Sequence, residues 1–383
     1  MPKIVLISSK DNNFYNFRSE FILKLVEIGH EVVLVCPQGE KIKFFTDRGC
    51  RFIALAMDRR GMNYLNDFKL IMGYYHIFKK EKPDVVLTYT GKSSAYGGMV
   101  CRFMKIPCII NNAGLMDTKY YSRYLALVLN TLYRVGFRKA SCMMYQNTQE
   151  RDYLNKVLHH KVHYRDIPGS GVNLEQFQYV EYPQNDDVIT FNYVARIVRI
   201  KGIGEYLDCA ERIKEKYPNT RFVIYGDYDD DKYRPRIKDL QQKGIVEYGG
   251  VKLDMKPYIK AAHAVIHPSY YEGMTNVVLE HSAMGRPCIG SDIPGVKDGI
   301  TEGITGYTFP VENVNALTAV VERFILLPHE QKVKMGWAAR EKMEREFDRK
   351  LVTNIYLEEI DRILKNGGKK MGSLYRLLDF FGQ

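Results

Sequence analysis

The sequence lacks the cysteine and histidine patterns that hold structural zinc ions or build a disulfide framework. Its seven cysteines are scattered without a CxxC pair, and its nine histidines include no HExxH motif and no paired ligand spacing. An odd number of isolated cysteines is typical of a reducing compartment. We therefore expect buried, inert thiols.

A hydrophobic segment long enough to span a bilayer is also missing. The nearest candidate, residues 120–137, is interrupted by Arg123, Asn130 and Arg134. The first residues, MPKIVLISSKDNN, have neither the long apolar core nor the cleavage site of a signal peptide, and they predict a first β-strand. The sequence therefore predicts a cytoplasmic protein.

Dense blocks of lysine and arginine are absent, although the net charge is +11. No zinc finger or RNP-like aromatic motif is present either, so nucleic-acid binding is not favoured. Two interpretations of the charge remain open. It is spread over a solvated surface, or it attracts the protein to an anionic cytoplasmic leaflet.

A chain of 383 residues is long enough for two domains. Short apolar strands alternate with helical segments from residue 3, and the pattern restarts near residue 188. This alternation predicts an α/β protein with two Rossmann-like, doubly wound parallel sheets that face each other across a cleft. We place the domains at residues 1–170 and 171–358. Residues 359–383 are expected to form a helical tail that breaks at KNGGKK and packs back on the N-terminal domain, with an interfacial membrane segment as the alternative.

Two glutamates, Glu272 and Glu280, stand in the segment YEGMTNVVLE, directly after the predicted strand AAHAVIHPS. A strand, an acidic-glycine turn and a helix place backbone N–H groups and a partial positive charge where a phosphate group can bind. Gly273 permits close approach of the backbone. The candidates for phosphate-binding amides are Met274, Thr275 and Asn276, and Thr275 or Asn276 is expected to cap the helix.

The two carboxylates differ in their surroundings. Glu272 precedes the helix, which places it nearer a sugar. Glu280 follows an apolar run, so its carboxylate requires a partner, and ribose hydroxyls would serve. The alternative is that Glu272 is a solvated acid at the helix entry and Glu280 an exposed acid on the helix.

Two cations, Arg196 and Lys201, follow the first strand of the second domain in VARIVRIKGIGEYL. An arginine fork and a lysine point charge can clamp a diphosphate leaving group and stabilise the negative charge that builds on it. The alternative is surface charge at a helix start, which is the interpretation we give to Arg199.

Three further motifs have simpler interpretations. The segment Gly169–Asn173 lacks the last glycine of a GxGxxG fingerprint, because Leu174 stands there, and it predicts a tight turn lining the cleft. The acidic run Asp227–Asp231 contains a DxD pattern, but clustered acids are usually exposed and we expect a solvated loop. His267 and His281 flank the glutamate motif. His267 ends a strand near the cleft and is expected to be a hydrogen-bonded structural residue, with a contact to the donor or acceptor as the alternative.

With these residues considered together, nearly the whole chain resembles the retaining GT-B glycosyltransferases of family 4 that build bacterial surface polysaccharides. The E-x7-E pair, the R-x4-K pair, the IPGSGVN turn and GRPCIGSDIPGVKDGITEGITGYTF match the family in order and spacing. The N-terminal half resembles a subgroup that acts on lipid-linked acceptors. The matching pieces include FYNFRSEFILKLVEIGHEV, NNAGL and MMYQN.

The resemblance implies transfer of a hexose or N-acetylhexosamine from a UDP-sugar to a polyprenyl-diphosphate-linked saccharide in capsule, O-antigen or glycoprotein glycan synthesis. It implies an acceptor-binding N-terminal domain and a nucleotide-sugar-binding C-terminal domain, with Glu272, Arg196 and Lys201 as catalytic residues and Glu280 and Gly273–Asn276 as donor ligands. No cofactor or metal is expected, since the two cations and the helix terminus neutralise the diphosphate. The predicted location is the cytoplasm, peripheral on the inner face of the plasma membrane. The implied acceptor or cleft residues are Asn16, Arg18, Asn112, Gly114 and Gly171.

The sequence departs from the family in two places. The segment NNAGLMD has no histidine where many relatives place one beside the donor sugar, and Asn111 and Asn112 are candidates to replace it. The first loop lacks a glycine pair. Two other functions remain as alternatives, namely a UDP-sugar epimerase on the same fold and a non-catalytic scaffold that binds sugar nucleotides.

Overall fold

The computed structural model describes residues 1–58, 64–111 and 123–378, of which residues 367–378 are described in backbone only. The chain divides into two compact units. The first contains residues 1–170 and the chain from Val352 onward, and the second runs from Gly171 to Leu351. Each unit is built on its own parallel sheet.

The first unit is a doubly wound α/β domain. Its strands are β1 Lys3–Ile7, β2 Glu31–Cys36, β3 Arg51–Ala54, β4 Val85–Tyr89, β5 Cys108–Asn111, β6 Cys142–Tyr145 and β7 Tyr164–Asp166. Its helices are α1 Asp11–Glu27, α2 Ile42–Thr46, α3 Tyr64–Glu81, α4 Gly91–Met104, α5 Arg123–Phe137 and α6 Thr148–Leu158. The strand order is β3-β2-β1-β4-β5-β6-β7, with parallel pairing throughout.

Both faces of this sheet are buried. Ile4 and Leu6 of β1 belong to one apolar core, and the alternate residues Val5 and Ile7 belong to another. Because successive side chains of a strand point to opposite faces, a strand covered on both sides must be apolar throughout. This requirement explains why KIVLI and EVVLVC are uninterrupted apolar runs.

The second unit repeats the architecture. Its strands are β8 Ile189–Val194, β9 Thr220–Tyr225, β10 Glu247–Gly250, β11 Ala264–His267, β12 Cys288–Ser291 and β13 Gly306–Phe309. Its helices are α7 Ile203–Lys216, α8 Arg234–Gln242, α9 Lys256–Lys260, α10 Asn276–Ala283, α11 Val314–Ile325 and α12 His329–Glu346, and 3₁₀ turns lie at Arg199–Lys201, Asp231–Tyr233 and Lys297–Gly299. The parallel strand order is β10-β9-β8-β11-β12-β13.

The last helix, α13 Arg349–Leu378, begins in the second unit and continues in the first. The sequence interpretation ended the second domain at residue 358. In the structure Val352, Tyr356 and Ile360 already lie in an apolar core of the first unit, so the chain changes units at residues 351–352. The expected break at KNGGKK is wrong, because α13 runs through it. Two glycines weaken a helix by about 1 kcal/mol each without necessarily ending it.

The prediction of two doubly wound parallel sheets is confirmed. Strand β7 is three residues long and carries Arg165 and Asp166, so no apolar run in the sequence predicts it. All seven cysteines are buried, as expected, and burial raises the pKa of Cys288 to about 12. No helix among the described residues is both long enough and apolar enough to cross a bilayer.

Candidate active site

Lys201 and Glu272 form an ion pair in the second unit. Lys201 Nζ donates to Glu272 Oε1 at 2.5 Å, and each side chain is 16% exposed. Lys201 ends the 3₁₀ turn after β8, and Glu272 lies in the loop between β11 and α10. Because β8 and β11 are neighbours in the sheet, both residues lie beyond its carboxyl edge, where sheets of this type bind ligands.

Backbone contacts hold the two loops together. The Tyr270 N–H donates to the Ile200 carbonyl at 2.9 Å, and the Ser269 hydroxyl donates to the same oxygen at 3.3 Å. Gly202 has a φ of 69°, and a Cβ at this position would lie 2.0 Å from the Pro268 carbonyl oxygen. Only glycine permits this approach, so Gly202 allows Lys201 to reach Glu272.

Glu272 is held as a carboxylate by two neighbours. Burial alone would raise its pKa, but the Lys201 charge and a hydrogen bond from His267 outweigh burial and hold the pKa well below the usual value. His267 Nε2 lies 3.0 Å from Glu272 Oε1, and the imidazole is 3% exposed at the end of β11. The tautomer that fits this contact carries the proton on Nε2 and donates it. His267 therefore orients Glu272, a role consistent with the structural histidine expected from the sequence.

Replacing His267 with leucine should reduce kcat about tenfold or more, because Glu272 would lose the donor that fixes its orientation. Glutamine, whose amide N–H can occupy a similar position, should restore most of the activity. Steady-state kinetics of both variants test this role. Equal losses in the leucine and glutamine variants would contradict it.

The first turn of α10 presents backbone donors next to this pair. The amides of Met274, Asn276 and Val277 have no acceptor among the described residues. Thr275 was predicted to offer its amide as well, but that N–H already donates to the Gly295 carbonyl at 3.0 Å, so this prediction is wrong. Thr275 is the N-cap residue, yet its side chain makes no capping hydrogen bond.

A second loop fixes the position of this turn. Gly295 has a φ of 80°, and a Cβ there would lie 1.9 Å from the Gly273 carbonyl oxygen. Its own N–H donates to Asp298 Oδ2 at 3.0 Å. The IPG segment thus supports the Gly273 turn, a role that the sequence analysis did not assign.

Glu280 lies one turn further along α10 from Asn276 and is partly buried. Its carboxylate forms no hydrogen bond or ion pair with the described residues. Burial raises its pKa to about 7, against the opposing charges of Arg349 and Lys256. His281 beside it is neutral, since burial lowers its pKa to about 3, and its Nδ1 lies 2.8 Å from the Val277 carbonyl. Glu280 is therefore a carboxylate without a partner in the described part of the chain.

Arg196 does not join Lys201 as the sequence predicted. Its Nη1 donates to Asp229 Oδ2, and its side chain is half exposed. Among the described residues no hydrogen bond or ion pair links Arg196 to Lys201, Glu272 or Glu280. The acidic run therefore includes a residue that anchors Arg196, rather than being only a solvated loop. Arg196 and Lys201 are linked through their backbones, since the buried Tyr193 hydroxyl lies 3.3 Å and 3.1 Å from their carbonyl oxygens.

The predicted acceptor or cleft residues are divided between the two units and the undescribed segment. Asn16 and Arg18 are on α1 of the first unit, Asn16 exposed and Arg18 buried. Gly171 packs against the backbone of Arg349, and its carbonyl lies 3.5 Å from Arg349 Nη2. Asn112 and Gly114 lie outside the described residues.

One group of side chains within the described ranges has the spacing of a metal site, namely Cys142, His163 and Glu359 in the first unit. Its carboxylate, Glu359, already accepts hydrogen bonds from Arg165 at 3.2 Å and Arg362 at 2.7 Å. Two guanidinium groups on the same carboxylate oppose a cation there. We interpret the group as an attachment of α13 to β6 and β7.

Two families match separate parts of the chain. Residues 189–326 match the family described as glycosyl transferases group 1, and residues 19–164 match the family described as glycosyl transferase 4-like domain. The N,N'-diacetylbacillosaminyl-diphospho-undecaprenol alpha-1,3-N-acetylgalactosaminyltransferase of Campylobacter jejuni is 24% identical over 95% of this chain and all of its own. A UDP-Gal:alpha-D-GlcNAc-diphosphoundecaprenol alpha-1,3-galactosyltransferase of Escherichia coli is 24% identical over 77% of this chain and 81% of its own.

Solved structures share the fold. A glycosyltransferase from Rickettsia africae superposes with a TM-score of 0.78 at 18% identity and covers 95% of this chain and 99% of its own. The Anabaena protein HepE in complex with UDP gives a TM-score of 0.75 at 14% identity and covers 94% of this chain and 100% of its own. The fold, the two family matches and the named relatives agree, and the chain belongs to the group 1 glycosyltransferases of the GT-B fold and is a hexosyltransferase.

Proposed function

We propose that this enzyme is a retaining family 4 transferase that moves a hexose or N-acetylhexosamine from a UDP-sugar to a polyprenyl-diphosphate-linked saccharide, in capsule, O-antigen or glycoprotein glycan synthesis. The observation that carries the proposal is the Lys201–Glu272 pair beside the first turn of α10, with Glu280 further along the same helix. Lys201 and the helix amides would contact the phosphates of such a donor, Glu272 its sugar and Glu280 its ribose. The C. jejuni and E. coli relatives support the acceptor, since both are named for sugars linked to diphosphoundecaprenol.

The structure suggests how this donor would be activated. As the bond between the anomeric carbon and the diphosphate breaks, negative charge grows on the leaving oxygen. Lys201 and the amides of Met274 and Asn276 are fixed groups that stabilise this charge without reorganising. No metal is needed for this step in our proposal, because the ammonium and the helix terminus supply the positive charge.

Retention of the anomeric configuration would follow from substitution on one face of the sugar. In this mechanism the sugar becomes oxocarbenium-like, and a diphosphate oxygen draws the proton from the acceptor hydroxyl. Glu272, held by Lys201 and His267, would accept hydrogen bonds from the sugar hydroxyls and orient the ring. The nuclear magnetic resonance coupling constant of the product's anomeric proton tests this step, and an inverted product would contradict it.

The direct test of the function is a transfer assay with a panel of UDP-sugars and a short-chain polyprenyl-diphosphate saccharide. We expect UDP release that depends on the acceptor. An isomer of the donor formed without acceptor would favour the epimerase instead.

A lipid-linked acceptor and a net charge of +11 also support a peripheral position on the inner membrane face. Co-sedimentation with anionic vesicles tests that position, and equal partition to neutral vesicles would oppose it.

Binding of UDP should release a proton near pH 6.5. In the free enzyme Glu280 has a pKa of about 7, so a large part of it is protonated at this pH. Ribose hydroxyls donate to the carboxylate form and would lower that pKa. Calorimetric titrations in two buffers with different ionisation enthalpies measure the number of protons released.

The Glu280→Gln variant is the control for this linkage. It should bind UDP more weakly and release no proton. In the free protein the variant should also gain stability relative to wild type as the pH rises from 5 to 8. The sign follows from the raised pKa: ionising Glu280 costs the folded state more than the unfolded state, by roughly 3 kcal/mol at most. A pH-independent stability difference would contradict the raised pKa.

A further inference from the structure

We propose that the first unit contains a buried binding site for a phosphate-type oxyanion, formed by Arg18, Tyr89, Asn111 and Tyr356. The site lies at the carboxyl edge of the first sheet. It is distinct from the Lys201–Glu272 pair, which belongs to the other unit.

Arg18 is a buried cation with no anionic partner among the residues that the structure describes. It is 4% exposed, and its guanidinium donates one hydrogen bond, from Nη1 to the Phe17 carbonyl at 2.8 Å. Its Nε has no acceptor, and no described carboxylate lies within ion-pair distance of it. Its Cζ lies 5.3 Å from the ring centroid of Tyr89 and 5.4 Å from that of Tyr356. Aromatic faces attract a cation but do not satisfy its N–H donors.

Three more polar atoms without partners share this face of the sheet. Tyr89 and Asn111 end the neighbouring strands β4 and β5 and are paired in register. Leu87 and Ile109, two residues earlier on each strand, pack in the core beneath α1 and α13, so strand alternation places both terminal side chains on that face. Tyr89 Oη, Asn111 Oδ1 and the Tyr356 Oη of α13 are buried, and none of the three has a well-aligned hydrogen-bond partner within the described part of the chain.

Four buried polar atoms without a well-aligned partner, on Arg18, Tyr89, Asn111 and Tyr356, indicate a bound ligand. Native proteins leave few buried polar atoms unsatisfied, and each unsatisfied group points to a water or an ion. A water would leave the guanidinium charge uncompensated, and a buried charge without a counter-ion is costly. A phosphate oxygen accepts hydrogen bonds from the Arg18 N–H groups and both phenol hydroxyls, and the Asn111 carboxamide can present its NH₂ group to it. The observations therefore favour an oxyanion.

The source of the phosphate rests on the proposed function. If the acceptor is a polyprenyl-diphosphate saccharide, its diphosphate is the expected occupant, because the carboxyl edge of a parallel sheet is its ligand-binding edge. Free phosphate or pyrophosphate has the same chemistry. Both sources would use the same four side chains.

The experiment uses the full-length protein with Lys201→Ala, so that the donor site does not contribute, and titrates inorganic pyrophosphate by calorimetry. Tyr89→Phe and Tyr356→Phe remove the hydroxyl groups and keep the rings. We expect each to weaken pyrophosphate binding about tenfold and Arg18→Gln to weaken it more, as expected for lost charge-assisted hydrogen bonds.

A matched control separates binding from folding. Tyr206 is equally buried, but its hydroxyl lies 3.0 Å from the Phe191 carbonyl, so Tyr206→Phe should lower the melting temperature and leave pyrophosphate binding unchanged. Tyr89→Phe and Tyr356→Phe should lower the melting temperature less than Tyr206→Phe does, since neither hydroxyl has a well-aligned hydrogen-bond partner among the described residues. If Arg18→Gln, Tyr89→Phe and Tyr356→Phe bind pyrophosphate as tightly as the Tyr206→Phe control, the proposal is overturned.

Transfer kinetics in the Lys201-containing enzyme distinguish the sources. If the acceptor supplies the phosphate, Tyr356→Phe raises the KM for a diphosphate acceptor and not for an analogue lacking the diphosphate. An unchanged acceptor KM together with weakened pyrophosphate binding supports a site for the free anion. If no UDP-sugar is transferred at all, yet pyrophosphate binding depends on Arg18, the proposed function fails and the anion site stands.

Discussion

Replacing Lys201 with alanine should abolish sugar transfer, lowering kcat about a thousandfold while the second unit stays folded. The lysine is the cation that directly contacts the site carboxylate, with its Nζ 2.5 Å from Glu272 Oε1. Removing one fixed group that stabilises a developing oxyanion costs about 10²–10³ in kcat, and a full positive charge contributes at the upper end of that range. A radiometric transfer assay at saturating donor measures the loss.

Arg199→Ala is the matched control. Arg199 stands in the same 3₁₀ turn, but its side chain is 69% exposed and pairs with Glu312 at 3.2 Å. An exposed ion pair of this type contributes little, so the variant should transfer sugar at the wild-type rate. If Arg199→Ala and Lys201→Ala lose activity equally, the effect belongs to the turn and not to the lysine charge.

Replacing Glu272 with glutamine should reduce kcat/KM by a factor of about 10²–10³ while UDP binding is retained or tightened. The glutamine keeps the shape of the side chain but replaces a charged acceptor with a weaker neutral one for the sugar hydroxyls. It also releases Lys201 from its ion pair, so the ammonium is available to the phosphates. Kinetics with the UDP-sugar and calorimetry with UDP alone separate the two effects.

Glu312→Gln serves as the control for this substitution, since Glu312 is half exposed and pairs with Arg199 outside the site. It should change neither measurement. A Glu272→Gln enzyme that loses UDP affinity and sugar transfer to the same extent would show that Glu272 supports the nucleotide end of the site, contrary to the proposed role.

The fold was predictable because its determinants are local. Apolar runs such as EVVLVC, separated by amphipathic segments, require a sheet that is buried on both faces. The boundary at residue 351 was not predictable, since α13 is continuous through it and the change of unit depends on which core receives Val352 and Tyr356.

The site was predictable in part. The glutamate motif and Lys201 were identified by their positions after strands, and the structure brings Lys201 and Glu272 together. The pairing of Arg196 with Asp229 and the use of the Thr275 amide by Gly295 are contacts between separate loops, and no local pattern reports them. His267 was visible only as a histidine at a strand end, where a structural and a site-orienting role look alike.

Binding of UDP and of uridine to the wild-type and Lys201→Ala enzymes tests the central claim most directly, namely that this cation holds the diphosphate of a nucleotide-sugar. Calorimetry should show that the substitution weakens UDP binding by tenfold or more, consistent with loss of a charged hydrogen bond, and leaves uridine binding unchanged. Equal affinities of the two enzymes for UDP, or equal losses for UDP and uridine, would contradict the account.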